Sequence, residues 1–191
     1  MADRDVKVVR ADAHRNRERL LEAARRSFAS GGDRVTLEGI ARDAGVGIGT
    51  LYRHFPTREA LVEAVHRAEV TQLCDSASEL LAAQPPDAAL RTWMDRFAGY
   101  IAAKREMADA LRAVIASGAI TSSQIRGQMS AAVQTMLDAG AAAGSLRDDL
   151  RAEDVVASLV GVFLACGLPE QREQASRMLD LLTDAVRRHG S

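Results

Sequence analysis

The chain has 191 residues, long enough for one large domain or two small ones with a well-buried core. Its net charge of −1 gives no bulk basicity to announce a nucleic acid, and 47 % hydrophobic against 4 % aromatic residues suits a helical protein rich in Ala, Leu and Val. Cys74 and Cys166 form neither a CxxC pair nor a disulfide framework, which predicts a reducing, cytoplasmic setting. The start Met1-Ala2-Asp3-Arg4-Asp5 is too charged for a signal peptide. The longest apolar run, Val155 to Leu168, is interrupted by Ser158, Gly161 and Gly167 and is too short to span a bilayer.

The neutral total hides an asymmetry. Residues 1–60 hold 12 Lys+Arg against 9 Asp+Glu, and the remainder holds 13 against 17. The basic excess therefore sits at the N-terminal end, where phosphates would be if this part met DNA.

Residues 1–12 mix charge with valine and are expected as a flexible arm. They read either as a disordered tail or as a basic arm in which Arg4, Lys7 and Arg10 reach a minor groove or a phosphate. A first helix is predicted from about Ala13 to Ser30, with Leu20, Leu21, Ala24 and Phe28 as its buried stripe and Gly31-Gly32 as its stop. Arg15, Arg17, Arg19, Arg25 and Arg26 lie around its other faces.

The stretch from Thr36 to Phe55 then reads as two short helices around a glycine turn. Thr36 is suited to cap the first, because its hydroxyl accepts from an orphan N–H of the opening turn. Leu37, Ile40, Ala41 and Ala44 recur at helical spacing, and Gly45 ends the run where positive φ is wanted. Leu51 and Phe55 mark the buried side of the second helix. Small Ala41 suits two helices that cross closely. This is a helix-turn-helix pattern whose second helix would enter a DNA major groove. Its first turn, Gly47-Ile48-Gly49-Thr50, is poor in readers of base edges. The two glycines cost about 1 kcal/mol each in helix propensity and admit a close backbone approach. Ile48 and Thr50 are suited to thymine methyls and Arg53 to guanine.

The run Thr50-Leu51-Tyr52-Arg53-His54-Phe55-Pro56-Thr57-Arg58-Glu59-Ala60-Leu61 closely resembles the signature of the tetracycline-repressor (TetR) family. The resemblance covers about residues 13–66. It implies a bacterial DNA-binding regulator whose contacts come from Thr36, Gly47, Ile48, Gly49, Thr50, Tyr52, Arg53, His54, Thr57 and Arg58. Tyr52 and Arg58 would hold phosphates, Arg15 or Arg19 would approach the backbone, and His54 would take either a phosphate contact or a structural role.

Pro56 stops the recognition helix, and Thr57 caps a long helix to about Ala82, expected as a rigid rod joining the two parts of the chain. Gln84-Pro85-Pro86-Asp87 is the clearest break. Helices of about 88–103, 105–116, 122–142, 151–166 and 171–189 follow, each amphipathic. Trp93, Met94, Phe97, Tyr100, Met107, Met129, Val133 and Met136, with Cys74, His66 and Arg112, form a candidate effector cavity where the resembled family carries one. The alternative is that these residues are simply core. The eighth helix is apolar around more than one face. The family resemblance implies a dimer through the last two helices, with Val156, Leu159, Val160, Phe163, Met178 and Leu182 at the seam; the alternative is simple burial within the monomer.

The expected fold is all-α, with about nine helices. An N-terminal three-helix bundle with the helix-turn-helix spans 13–60, and a helical ligand-binding and dimerisation domain spans 61–191. No GxSxG, P-loop, HExxH or GxGxxG occurs, so the chain is expected not to be an enzyme and to need no cofactor or metal. The expected function is that of a homodimeric repressor on a palindromic or near-palindromic operator, released by a small, mostly apolar effector. Two alternatives stand beside it: a regulator gated by a protein partner or by Cys74 oxidation, and a helical interaction or enzyme domain whose helix-turn-helix is structural.

Overall fold

A computed structural model describes residues 2–31, 35–166 and 169–188. Those residues are all-α: α1 (Ala2–Gly31), α2 (Leu37–Asp43), α3 (Ile48–His54), α4 (Arg58–Ala83), α5 (Pro86–Glu106), α6 (Ala108–Ala116), α7 (Ser122–Ala142), α8 (Ala152–Ala165) and α9 (Arg172–Val186). Gly32 and the expected Gly167-Leu168 break lie outside them.

Helix α1 begins at Ala2 and runs through the segment expected as an arm. No proline or glycine interrupts residues 2–30. Helix α5 takes in Pro86 as its first residue, since a proline there gives up an N–H that would have no intrahelical partner.

Two compact units emerge. The first comprises residues 1–68 with 103–120, and the second residues 69–102 with 121–191. The boundary predicted near residue 60 therefore moves into α4, and α6 belongs with the N-terminal unit. Arg67 gives the reason: its Nη2 donates to the Ala119 carbonyl at 2.9 Å, while Leu111, Val114 and Ile120 are buried beside it in sequence on the α6 segment.

In the first unit, Leu20, Ala23, Ala24 and Phe28 of α1 are buried with Ile40, Ala41, Ala44, Leu51, Phe55, Leu61, Val62 and Val65. Helices α1, α2 and α3 pack on one another pairwise.

The second unit is built on Trp93, Met94, Phe97, Val133, Met136, Leu146 and Leu159, each no more than 1 % exposed. Trp93 keeps its one polar atom satisfied, with Nε1 donating to the Leu73 carbonyl at 2.9 Å. The turn after α7 is closed by Gly144 at φ +71°. Its neighbour Leu146 bridges to Arg187, so α9 ends at Val186 rather than near 189, and Arg147 N–H donates to the Val186 carbonyl at 3.0 Å.

Gly140 is demanded by that turn. A Cβ there would fall 2.3 Å from Leu146 Cδ1 and 2.7 Å from its Cβ. Alanine normally stabilises a helix over glycine, but here overpacking wins. Gly140→Ala should destabilise the protein by roughly 1–3 kcal/mol, read as a lower midpoint in urea unfolding. A raised midpoint would show that Leu146 moves aside at no cost.

Candidate nucleic-acid interface

Local chemistry fixes α2 at both ends. Thr36 is its N-cap, with Oγ1 accepting from Gly39 N at 3.1 Å. At the other end Gly45 adopts φ +65°, its N–H reaching the Arg42 carbonyl at 3.0 Å, and Val46 N–H reaches the Ala41 carbonyl at 3.0 Å. This paired closure satisfies the last carbonyls and turns the chain towards α3.

Helix α3 then divides by face. Leu51 is fully buried and Phe55 nearly so, while Ile48 and Tyr52, four residues apart, are 38 % and 45 % exposed. Arg53 is also exposed, with Nε donating to the Gly49 carbonyl at 3.2 Å. Thr50 and His54 are half-buried, the latter 6.2 Å from the Phe55 ring centre. Gly47 and Gly49 have ordinary backbone conformations, and a Cβ on either would meet nothing within 4 Å. The packing of the fold requires neither glycine.

Thr57 caps α4, with Oγ1 accepting from Ala60 N at 3.1 Å. Arg58, expected to face a phosphate, turns inward instead. Its guanidinium lies 5.4 Å from the Phe28 ring centre and Nη1 donates to the Val35 carbonyl. On the other side, Arg17 of α1 lies 5.3 Å from the Phe55 ring centre. Neither pairing has a signal in the sequence, since partners 30 and 38 positions apart share no periodicity.

The candidate effector residues divide between the units. His66 and Met107 lie in the first, with Arg112 exposed there. Cys74, Trp93, Met94, Phe97, Tyr100, Met129, Val133 and Met136 belong to the hydrophobic core of the second. Burial, with the positive Lys104 and Arg67 adding to it, pulls His66 down to about 4, so its imidazole is neutral at pH 7. Burial pushes the Tyr100 hydroxyl up to about 12. Burial, followed by the Asp75 carboxylate, pushes the Cys74 thiol up to about 11. A thiol so protonated at neutral pH is a poor redox sensor.

The seam residues are also redistributed. Val156, Leu159 and Phe163 are buried in their own unit, because α8 packs on both α7 and α9. Met178 and Leu182 are half-buried. The apolar side chains left at the surface are Val160 at 36 %, Leu164 at 80 % and Leu181 at 70 % exposure, on α8 and α9. Among the described residues no helix is long and apolar enough to cross a membrane, and no group of three His, Cys, Asp or Glu is placed to hold a metal.

Residues 20–65 match the sequence model of the bacterial regulatory proteins of the tetR family, and residues 85–188 match that of the SbtR-like transcriptional regulator C-terminal domain. This chain belongs to the TetR family. A TetR transcriptional regulator of Streptomyces coelicolor is 51 % identical to it over 91 % of this chain and 99 % of that one, with a TM-score of 0.82. A TetR transcription regulatory protein of Mycobacterium vanbaalenii is 34 % identical over 94 % and 99 %, with a TM-score of 0.73. A curated helix-turn-helix-type transcriptional regulator of Staphylococcus aureus (strain USA300) is 41 % identical over 54 residues, 28 % of this chain and 29 % of that protein. The protein is thus a TetR-family helix-turn-helix transcriptional regulator. TetR regulators bind operator DNA, are typically homodimers and form a family of regulators, not of enzymes.

Proposed function

We propose that this protein is a homodimeric repressor, acting in the cytoplasm on a palindromic or near-palindromic operator and released from it by a small, mostly apolar effector. The observation that carries the reading is the outer face of α3, where Ile48, Tyr52 and Arg53 project uncovered beside two glycines that packing does not require. An α-helix fits a major groove, and glycine lets its backbone come close to the groove floor. Arg53 reads guanine there and Ile48 a thymine methyl. Tyr52 positions the helix on phosphate, with Thr36, His54 and Thr57 along the same surface. Symmetric half-sites require a two-fold protein, and Val160, Leu164 and Leu181 supply an apolar face for a second copy. The Trp93–Met136 core of the second unit is the effector site, opened by a ligand that the Met side chains accommodate. The high Cys74 pKa favours a ligand over thiol oxidation as the signal.

Selection from random duplexes by the purified protein tests the reading first, and failure to enrich any sequence would defeat it. On the selected operator, Arg53→Ala should cost about 1–3 kcal/mol and relax one symmetric base pair. Tyr52→Phe should weaken all sequences alike. Uracil in place of the thymine under Ile48 should cost about 0.8 kcal/mol per half-site. A uniform loss with Arg53→Ala would make it a phosphate contact.

Leu181→Asp should leave the protomer folded and dissociate the dimer, measured by sedimentation, because Leu181 is exposed and no core packing is lost. A native protein that sediments as a monomer would rule out the seam.

Ligand and operator should oppose each other reciprocally, with a coupling of about 1–3 kcal/mol. An apolar compound that raises the melting temperature of the free protein should therefore bind more weakly, by calorimetry, in saturating operator. Equal affinity with and without the duplex would remove effector release from the proposal.

A further inference from the structure

Arginines occupy both boundaries of the helix-turn-helix. Arg58, the first residue of α4, reaches back across the sequence to Val35, immediately before the α2 cap Thr36, and covers the ring of Phe28, itself only 2 % exposed. Arg17 covers Phe55, the residue at which α3 ends. Both arginines and their three partners, Phe28, Val35 and Phe55, lie in the first unit. Both ring distances fall inside the range of about 6 Å over which a cation is attracted to an aromatic face.

We propose that Arg58 is a positioning residue of the DNA-binding surface: it clasps the entry to α2 onto α1 and the start of α4, and does not itself bind phosphate. The proposal rests on the DNA-binding reading above but predicts a separate behaviour. The Arg58 guanidinium carbon lies 5.4 Å from the Phe28 ring centre while Nη1 donates to the Val35 carbonyl, and a planar, forked guanidinium makes both contacts at once. An ammonium keeps the charge but has no flat face and no fork. It is nonetheless a good phosphate ligand. Lysine at position 58 therefore separates the two roles. A phosphate contact tolerates it, whereas a clasp that needs one group to hold the ring and the Val35 carbonyl together is weakened by it.

The clasp acts where α2 begins. Gly39 N–H donates to Thr36 Oγ1 and Ile40 N–H to the Thr36 carbonyl, each at 3.1 Å. Those two amides report whether the entry to α2 is held. The position of α2 in turn sets that of α3, because the Gly45 closure joins them without slack.

The experiment uses the full chain and an operator selected from random duplexes. Operator affinity is measured over a salt series for the native protein, Arg58→Lys, Arg58→Gln and Phe28→Leu, at a temperature where each is folded by circular dichroism. Hydrogen exchange at Gly39 and Ile40 is followed in the same proteins without DNA. Phe28→Leu keeps an apolar filling and the Arg58 charge but removes the ring. All three variants should lose roughly tenfold to a hundredfold in affinity. The slope of log affinity against log salt should stay at the native value, and exchange at Gly39 and Ile40 should quicken. If Arg58→Lys binds like the native protein while Arg58→Gln loses affinity and about one unit of salt slope, Arg58 is a phosphate contact and the proposal falls. Unchanged exchange in all three variants overturns it as well, whether or not any operator is found. Enrichment of no duplex by the native protein would instead defeat the DNA-binding reading, leaving the exchange measurement to judge the clasp.

Discussion

The left-handed turn at Gly45 is the constraint on which the DNA-facing geometry depends. With φ at +65°, that residue lets two consecutive N–H groups, its own and that of Val46, fold back onto the Arg42 and Ala41 carbonyls within three residues of the end of α2. Any side chain would meet the steric cost of that region. Because the turn is so short, the orientation of α3 follows from that of α2. Leu51 and Phe55 complete the core against α1, so Ile48, Tyr52 and Arg53 must face outward. The reading surface is the remainder left once the core of a three-helix unit has been satisfied.

Electrostatics in this unit works locally rather than through net charge. The whole chain is slightly acidic, and many arginines near the helix-turn-helix are tied to neighbours: Arg25 to Glu22, Arg17 to the Phe55 ring, Arg58 to Phe28 and Val35. An arginine on a buried ring stiffens the scaffold and leaves the surface positive, two contributions that a count of charges cannot separate. His66, buried and kept neutral beside Lys104 and Arg67, shows the converse. Burial alone disfavours its charged form, and the nearby cations add to that.

The second unit follows a different logic. Its core is continuous, from Val70 on α4 to Val186 at the end of α9, and it uses soft, adaptable Met94, Met129 and Met136 beside Trp93 and Phe97. Helix α8 is apolar enough to fill that core on one side and still present Val160 and Leu164 on another.

Periodicity and capping chemistry determined much of this protein from sequence alone. They yielded the all-α class, the Thr36 and Thr57 caps, the Gly45 stop and the buried pair Leu51 and Phe55, because each depends on residues within a few positions of one another. The TLYRHFPTRE run carried the family, and the family carried the regulator. What required the tertiary structure involves partners distant in sequence. Arg58 turns inward because Phe28 and Val35 are there to receive it. Helix α6 joins the first unit because Ala119 meets Arg67. Helix α9 stops at Val186 because Leu146 pairs with Arg187. Which apolar residues of α8 and α9 stay exposed was decided likewise, since a helix pattern marks apolar positions but only packing says which of them the protomer itself covers.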